Sequence, residues 1–442
     1  MEGTKRFARS KVAWLALAVL FAPAAFAEDA AMFRGNPQHT GVYEAPGVPT
    51  FTRIKWKFHT RGMVISSPAI ANGNAYVGST DGSLYAIDLE TGAQKWKFAT
   101  QARVTSSPAV AGGIIYFGSY DGNFYALDEA DGKLKWKFQT EGELRFAAKH
   151  IHGSLPVEET MPDPFDFFLS SPVVWNGSVY FGSGDGNVYA LNADSGKLIW
   201  KFKTGNVVHA SPAISEGVLF VGSWDTYFYA LDAATGTEKW RFKTGEDHNV
   251  HNQEGIQSSA AVADGMVYFG CRDSNLYALD ARTGEKRWAF FNKGSWVIGS
   301  PAVRDGKVYF STADTDLVHA MDAKSGAELF SLKFTWLLFS SPAIAGNTLY
   351  IGSEEGKLLT IDLSTQKPGW VFQTDGSKEN GAALTNANGG PKYEAVFTEN
   401  FYDNMVTGVT KLMSVGMIFS SPVVAGNAVF FGSTDGNLYA LM

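Results

Sequence analysis

Side chains able to do chemistry gather in two constellations. In the first, His150 and His152 stand two residues apart, His209 stands alone, and His248 and His251 lie three apart with Glu246, Asp247 and Glu254 beside them. Imidazole and carboxylate groups bind several divalent cations, which makes His150, His152, His248 and His251 candidate metal ligands. Neither spacing lies in a context that fixes coordination geometry, and bonding to loop backbone explains such residues as well, so no metal is assigned.

The second constellation is Trp224, Asp225 and Tyr227 together with Arg272, Asp273 and Trp296. Aromatic faces, a guanidinium and carboxylates suit a planar anionic or polyhydroxylated ligand. The alternative is that the indoles cover junctions between structural units. Cys271 is the only cysteine, which leaves no partner for an intrachain disulfide and reads as a small buried residue. Signatures of haem attachment, of the serine-hydrolase elbow, of dinucleotide-binding loops and of EF-hands are absent from the sequence.

An internal repeat sets the elements that must position these groups. The string Ser-Ser-Pro-Ala/Val, or a near variant, occurs eight times, with its third position at Pro68, Pro108, Pro172, Pro212, Ala260, Pro301, Pro342 and Pro422. The period is about 40 residues, interrupted by insertions of roughly 24, 8 and 40. The first copy, residues 66–98, reads as four short strands joined at Asn72-Gly73, Asp81-Gly82 and Thr91-Gly92, pairs that supply the positive backbone angles of tight hairpins. A lone four-stranded sheet with two partly apolar faces cannot bury both, whereas a ring of them can. The expected fold is all-β: a closed eight-bladed propeller of four-stranded antiparallel blades.

Small Ser, Pro and Ala place the first strand of each unit near the crowded axis, and Trp96, Trp136, Trp200, Trp240, Trp288, Phe330 and Trp370 mark the outer strands. The eighth unit ends at Met442 before its fourth strand, and Ile54-Lys55-Trp56-Lys57-Phe58 supplies the missing piece. The N-terminal strand is therefore expected to complete the last blade and leave no free sheet edge. All three insertions, residues 141–169, 245–257 and 375–415, replace the connection from an outer strand to the next inner strand. A closed ring brings such connections to one rim, together with the turns between second and third strands. There they are expected to form the main pocket. The ligand or partner surface predicted on that rim comprises His152, His209, Trp224, Asp225, His251, Arg272, Asp273 and Trp296, residues expected to contribute little to blade packing. Three consecutive turns, Asp225-Thr226, Asp273-Ser274 and Asp314-Thr315, lack the glycine of their counterparts, which suggests a local role beyond reversing the chain.

The pattern Leu-Tyr-Ala-Leu-Asp-x-x-Thr-Gly-x-x-x-Trp, close to what stands at residues 84–96 and 276–288, resembles the repeats of the PQQ-type β-propeller superfamily. That superfamily includes quinoprotein alcohol dehydrogenases and the BamB-like propellers of outer-membrane barrel assembly. The resemblance covers nearly all of the chain after the leader and implies the propeller fold. It says less about activity, because the repeat residues pack blades together.

Residues 1–27 read as a secretory leader: Lys5, Arg6, Arg9 and Lys11, then the apolar run 12–22, then Ala25-Phe26-Ala27, with cleavage expected after Ala27. Residues 28–52 then form an N-terminal extension and residues 53–442 the propeller. The formal charge is −7, and setting aside the leader's four basic residues and Glu2 takes it to −10, which argues against nucleic acid. No later stretch is long and apolar enough to span a membrane. A periplasmic or secreted monomer is expected, with an envelope protein or a small polar ligand at the insert-bearing rim. Two functions follow from the resemblance. One is a non-catalytic binding or scaffold module of the cell envelope, which the missing catalytic motifs favour. The other is a periplasmic PQQ-dependent dehydrogenase, which implies PQQ and Ca²⁺ at the rim and an aspartate base. The adjacent cysteines common in those dehydrogenases have no counterpart here.

Overall fold

The computed structural model describes residues 29–247 and 255–442. The leader, with its expected cleavage point, and His248, His251 and Glu254 lie outside the described residues.

Each copy of the repeat folds as one four-stranded antiparallel sheet. In the first blade the strands are Ala69–Ala71, Asn74–Gly78, Ser83–Asp88 and Gln94–Ala99. Seven further sheets of the same order follow, with inner strands beginning at Ala109, Val173, Ala213, Ala261, Ala302, Ala343 and Val423. The inner three strands are buried on both faces, whereas the outer strand alternates, as in Gln94–Ala99. The last blade takes its outer strand from the other end of the chain. Ile54–His59 pairs antiparallel with Asn437–Leu441, matching Ile54 to Leu441 and His59 to Asn437, as the sequence predicts.

Two repeated contacts hold neighbouring blades together. At the outside, the outer-strand tryptophan lies across the last turn of the next blade. Its Nε1–H donates to a carbonyl there: Trp96 to Glu129 at 3.2 Å, Trp136 to Ala193 at 2.9 Å, Trp200 to Ala233 at 3.0 Å and Trp240 to Ala281 at 3.1 Å. The indole rests on a left-handed glycine. A Cβ on Gly236 (φ +72) would come within 2.6 Å of the Trp200 ring. At the axis, the serine ahead of each repeat's third position accepts a bond from the amide of its counterpart in the preceding blade at seven of the eight junctions. Ser67 donates to Ser107, Ser107 to Ser171, Ser171 to Ser211, and Ser421 closes the circle onto Ser67 at 2.8 Å. At the remaining junction, between the seventh and eighth blades, the Ser340 hydroxyl donates to the Ser420 carbonyl at 2.8 Å, which completes a circular hydrogen-bonded belt.

The first described residues cross the opposite end of the channel from the inserts. Backbone amides of inner strands donate to them in turn: Ile70 to Ala30, Val110 to Ala31, Ile214 to Pro37, Val262 to Gln38, Val303 to Thr40 and Ile344 to Gly41. Val42–Tyr43 then runs parallel to Ala343–Ala345 as a fifth strand on the seventh blade. Further on, the Val48 carbonyl receives the indole of Trp370 at 2.8 Å. That contact stands in for the last-turn carbonyl of the eighth blade, whose third and fourth strands are joined only across the chain ends.

Two features depart from the sequence reading. The third insertion contains two helices, α1 (Asp375–Leu384) and α2 (Tyr402–Met413). Thr374 caps α1 by accepting from the Ser377 amide, and α2 buries Val409, Leu412 and Met413 along one face. The three turns without glycine keep the left-handed conformation all the same, at Thr226 (φ 72), Ser274 (φ 68) and Asp316 (φ 55). In the sixth blade the strained position is Asp316 rather than Thr315, because that turn is one residue longer.

Gly177 and Gly236 are both left-handed, but a Cβ on Gly177 meets nothing within 4 Å. Substituting each with Ala separates backbone strain from indole docking. Gly236→Ala should cost about 2 kcal/mol more than Gly177→Ala in urea unfolding, the difference being overpacking against Trp200.

Candidate functional site

The insertions do converge. Insertion one forms the hairpin Ala147–Lys149 with Thr160–Pro162, and its far end joins insertion three. Leu155 bridges Phe401 in parallel, the Leu155 amide donates to the Asn400 carbonyl at 2.8 Å, and the Tyr402 hydroxyl donates to the Pro162 carbonyl at 2.6 Å. Beneath them, Phe167, Phe339, Phe419, Leu412 and Met417 close over the channel. On this rim a recess of about 500 Å³ lies between insertion three and the last blade, lined by Lys57, His59, Asp375, Glu379, Asn380 and Asp435, away from the site residues expected from the sequence. Over the channel itself insertions one and three close the mouth with apolar side chains, and a cavity of about 50 Å³ lies below, between the serine belt, Phe33 and Phe168.

Four of the predicted site residues meet in one buried assembly. The guanidinium of Arg272 lies between two indoles, 4.3 Å from the ring centre of Trp224 and 4.2 Å from that of Trp296. Phe146 from insertion one stacks on Trp224 at 4.3 Å and 13°. His152 packs against Trp296 and against the edge of Phe165. In the plane of the guanidinium, Nη1 donates to Asp163 at 2.6 Å, and Nε and Nη2 both donate to the Gln257 side-chain oxygen at 3.1 and 2.7 Å. The second oxygen of Asp163 takes the His152 ring at 2.8 Å and the Phe165 amide at 2.8 Å. Burial alone would raise the Asp163 pKa, but Arg272 and His152 outweigh it and hold the carboxyl well below the usual carboxylate range.

His209 forms the neighbouring node. Its Nδ1 lies 2.7 Å from Asp166 and its Nε2 3.1 Å from Glu143, so both ring nitrogens are engaged by carboxylates. Asp166 also accepts the Phe146 amide, and Glu143 accepts the Ser183 hydroxyl and the Gly184 amide. Burial disfavours an imidazolium, yet Asp166 and Glu143 prevail and lift the pKa to about 10, so His209 is charged at neutral pH.

The other predicted residues lie elsewhere. Asp225 accepts the Tyr229 hydroxyl and the Gly205 amide, and Asp273 accepts the Tyr277 hydroxyl and the Gly245 amide. Asp121 and Asp185 make the same pair of bonds in their blades, so this is a contact of the repeat. His150 bonds the Ser154 carbonyl, and among the described residues no three His, Cys, Asp or Glu side chains converge as a metal site. Cys271 is fully buried, which pushes its thiol pKa up. The expectation that rim residues contribute little to packing fails for Arg272 and His209, which are 0% and 2% exposed.

Sequence reasoning missed Glu143, Asp163, Asp166, Gln257 and Phe146. One signal was present: two aspartates amid the apolar run Asp163-Pro164-Phe165-Asp166-Phe167-Phe168. Charged residues in such a run are retained in a core only when paired.

A closed ring of eight four-stranded blades, joined by docked tryptophans and a serine belt, defines a PQQ-type repeat propeller with a plugged insert rim. The chain belongs to the family described as outer membrane protein assembly factor BamB, which it matches over residues 50–156, 158–295 and 272–398. Among solved structures it is similar to BamB from Moraxella catarrhalis, with a TM-score of 0.63 and 16% identity over 88% of this chain and 97% of that one. A europium-containing methanol dehydrogenase gives 0.67 and 14% over 93% and 98%. The quinohemoprotein alcohol dehydrogenase from Comamonas testosteroni gives 0.69 and 14% over 93% and 80%. At these identities the likeness is one of fold. Comparison with curated proteins gives no significant match.

Two outcomes follow from the charges. Asp163→Asn leaves Arg272 buried without its counter-charge and should cost about 3–5 kcal/mol in chemical denaturation. Adding Arg272→Met should recover part of that loss, because replacing a buried pair is less costly than breaking it. Full stability in the single variant would contradict the assignment. The His209 pKa is raised above its unfolded value near 6.5, so its contribution is complete below pH 6.5 and lost as pH climbs towards about 10. Unfolding free energy should therefore fall between pH 7 and 10 more steeply in the native protein than in His209→Gln.

Proposed function

We propose that the protein is an exported, non-catalytic binding or scaffold module of the cell envelope. The carrying observation is the plugged mouth of the channel, where insertions one and three bond to one another and close over the axis with Phe167, Phe339, Phe419 and Leu412. Leu144 and Phe401 stand on its outer surface 64% and 53% exposed, a degree of apolar exposure that suits a protein partner. Membership of a family described by an envelope assembly factor supports the same reading. No helix among the described residues is long and apolar enough to cross a membrane. In this reading Arg272, His152, Trp224, Trp296 and His209 hold the inserts in position and do not themselves touch the partner.

The dehydrogenase alternative requires a stacking face for PQQ and clustered oxygen ligands for Ca²⁺. Trp224 is covered on one face by Phe146 and on the other by Arg272, whose charge is already neutralised by Asp163. The residues present do not fit the cofactor, and no step is assigned to it.

A photo-reactive side chain at Leu144 or Phe401 of the exported protein should cross-link to a discrete envelope protein. The same group at Leu198, exposed on an outer strand, should not. Equal labelling from Leu198 would overturn the rim as the docking face. Stoichiometric uptake of PQQ with Ca²⁺, followed by quinone absorbance, would overturn the non-catalytic reading.

A further inference from the structure

The turn between the second and third strands of a blade sets one residue against the connection that leads into that blade. In the seventh blade this residue is Glu354, at the position held by Trp224 in the fourth and Arg272 in the fifth. All three make the same backbone bond: the Trp224 amide donates to the Val207 carbonyl, Arg272 to Gly255 and Glu354 to Leu337. Arg272 is buried against Asp163, an ion of opposite charge supplied by insertion one. Glu354 is almost as enclosed, at 6% exposed, yet it has no ion pair among the described residues, and its Oε1 is buried without a hydrogen-bond partner. The cations of the neighbourhood are engaged elsewhere: Lys357 with Glu355, Lys333 with Asp316 at 3.8 Å and Lys378 with Asp375 at 3.8 Å.

Insertion three covers this carboxyl. The Ser377 hydroxyl, in the first turn of α1, donates to the Glu355 carbonyl at 2.6 Å, and beyond α1 the Trp336 indole donates to the Gly389 carbonyl at 2.9 Å. Leu384 and Val396 pack with Trp336 and Ala313 in one apolar cluster. Residues 384–397 are folded back on themselves, the Lys392 amide donating to the Leu384 carbonyl at 2.8 Å and the Val396 amide to the Tyr393 carbonyl at 3.0 Å. The titratable groups that face Glu354 from these elements are all acids: Asp314 and Asp316 from the turn of the sixth blade and the Tyr393 phenol from insertion three. Arg272 and His152 act on Asp314, not on Glu354.

An ionised carboxylate with neither a cation nor a full set of donors is strongly disfavoured in such surroundings, and nearby carboxylates add repulsion. Burial first, and then Asp314 and Asp316, push the Glu354 pKa up from 4.5 to about 8, so the carboxyl keeps its proton at neutral pH.

We propose that insertion three is a proton-latched cover: it lies against the rim while Glu354 is protonated, and its stretch 384–397 lifts when that carboxyl ionises, baring Trp336, Leu384 and Val396. The ring need not open with it, because the docked indoles and the serine belt hold the blades without Glu354. The inference stands apart from the function proposed above, and an uncovered Trp336 adds apolar surface to the same rim. In the lifted state Glu354 meets water and its pKa returns towards 4.5. Below that pH the carboxyl is protonated in both states, between 4.5 and about 8 only the lifted state loses the proton, and above about 8 both are ionised. Closure therefore weakens as pH rises through this window and then levels off. The contribution of His209, lost between pH 6.5 and about 10, comes later and acts on insertion one.

The test is amide hydrogen exchange of the exported protein from about pH 5 to 9, corrected for the intrinsic pH dependence of exchange. Protection of the Gly389, Lys392, Val396 and Phe397 amides should fall by up to about tenfold per pH unit until about pH 8 and then level off, while the belt amides of Ser107 and Ser171 hold. Glu354→Gln, which cannot ionise, should make the protection of residues 384–397 independent of pH. If that variant does not fold, the double variant Asp314→Asn/Asp316→Asn keeps Glu354 and removes the neighbouring charges, so the fall should end at a lower pH. Asparagine tolerates the left-handed backbone of position 316 (φ 55). Protection that is flat with pH in the native protein, a pH response retained in Glu354→Gln, an end point unmoved in the double variant, or a loss that spreads to the belt amides would overturn the proposal.

Discussion

Everything in this protein depends on the docking of one blade against the next. An isolated four-stranded sheet with two apolar faces is not stable in water, so each unit exists only by virtue of its neighbours. The indole laid over a left-handed glycine fixes the spacing at the outer edge, and the serine belt fixes it at the axis. Between these two anchors the faces of adjacent sheets pack as a series of small cores, such as that of Ala69, Leu84, Val104 and Ile115. Closure then follows from the chain ends: with Ile54–His59 in place no sheet edge is left unpaired at the seam.

The two ends of the channel solve different problems. At the insert rim, Arg272 and His209 are buried cations, and each is matched by carboxylates that insertion one carries in. The charge pairs give the insert a single position, because any other would leave a buried ion alone. At the far end the N-terminal segment brings in a cation with no such carboxylate.

The fold is shared by proteins as different in role as an assembly factor and two dehydrogenases, and it does not choose between them. What distinguishes this chain is the use of its insertions. Phe146 and Asp163 complete an assembly of indoles and guanidinium that, standing open, has the chemistry of a ligand pocket, and in completing it they close it.

Repetition made the ring legible in the sequence alone. A period seen eight times sets the number of blades, the turn residues set the strand boundaries, and the truncated last copy points to the segment that completes it, because all of these are local or are averaged over many copies. The gathering of His152, Trp224, Arg272 and Trp296 on one rim was legible for the same topological reason. What they do there was not. Asp225 and Asp273 look like part of the cluster in the sequence, but their bonds are those of Asp121 and Asp185, an equivalence visible only when the blades are laid side by side. The partners of Arg272 and His209 come from a single-copy insertion with no repeat to calibrate it. A charge is matched by whatever the tertiary fold brings within about 3 Å, over separations of 109 and 43 residues here, and only the folded structure could decide that Arg272 and His209 meet carboxylates while Arg34, at the far end, meets the Pro301 carbonyl.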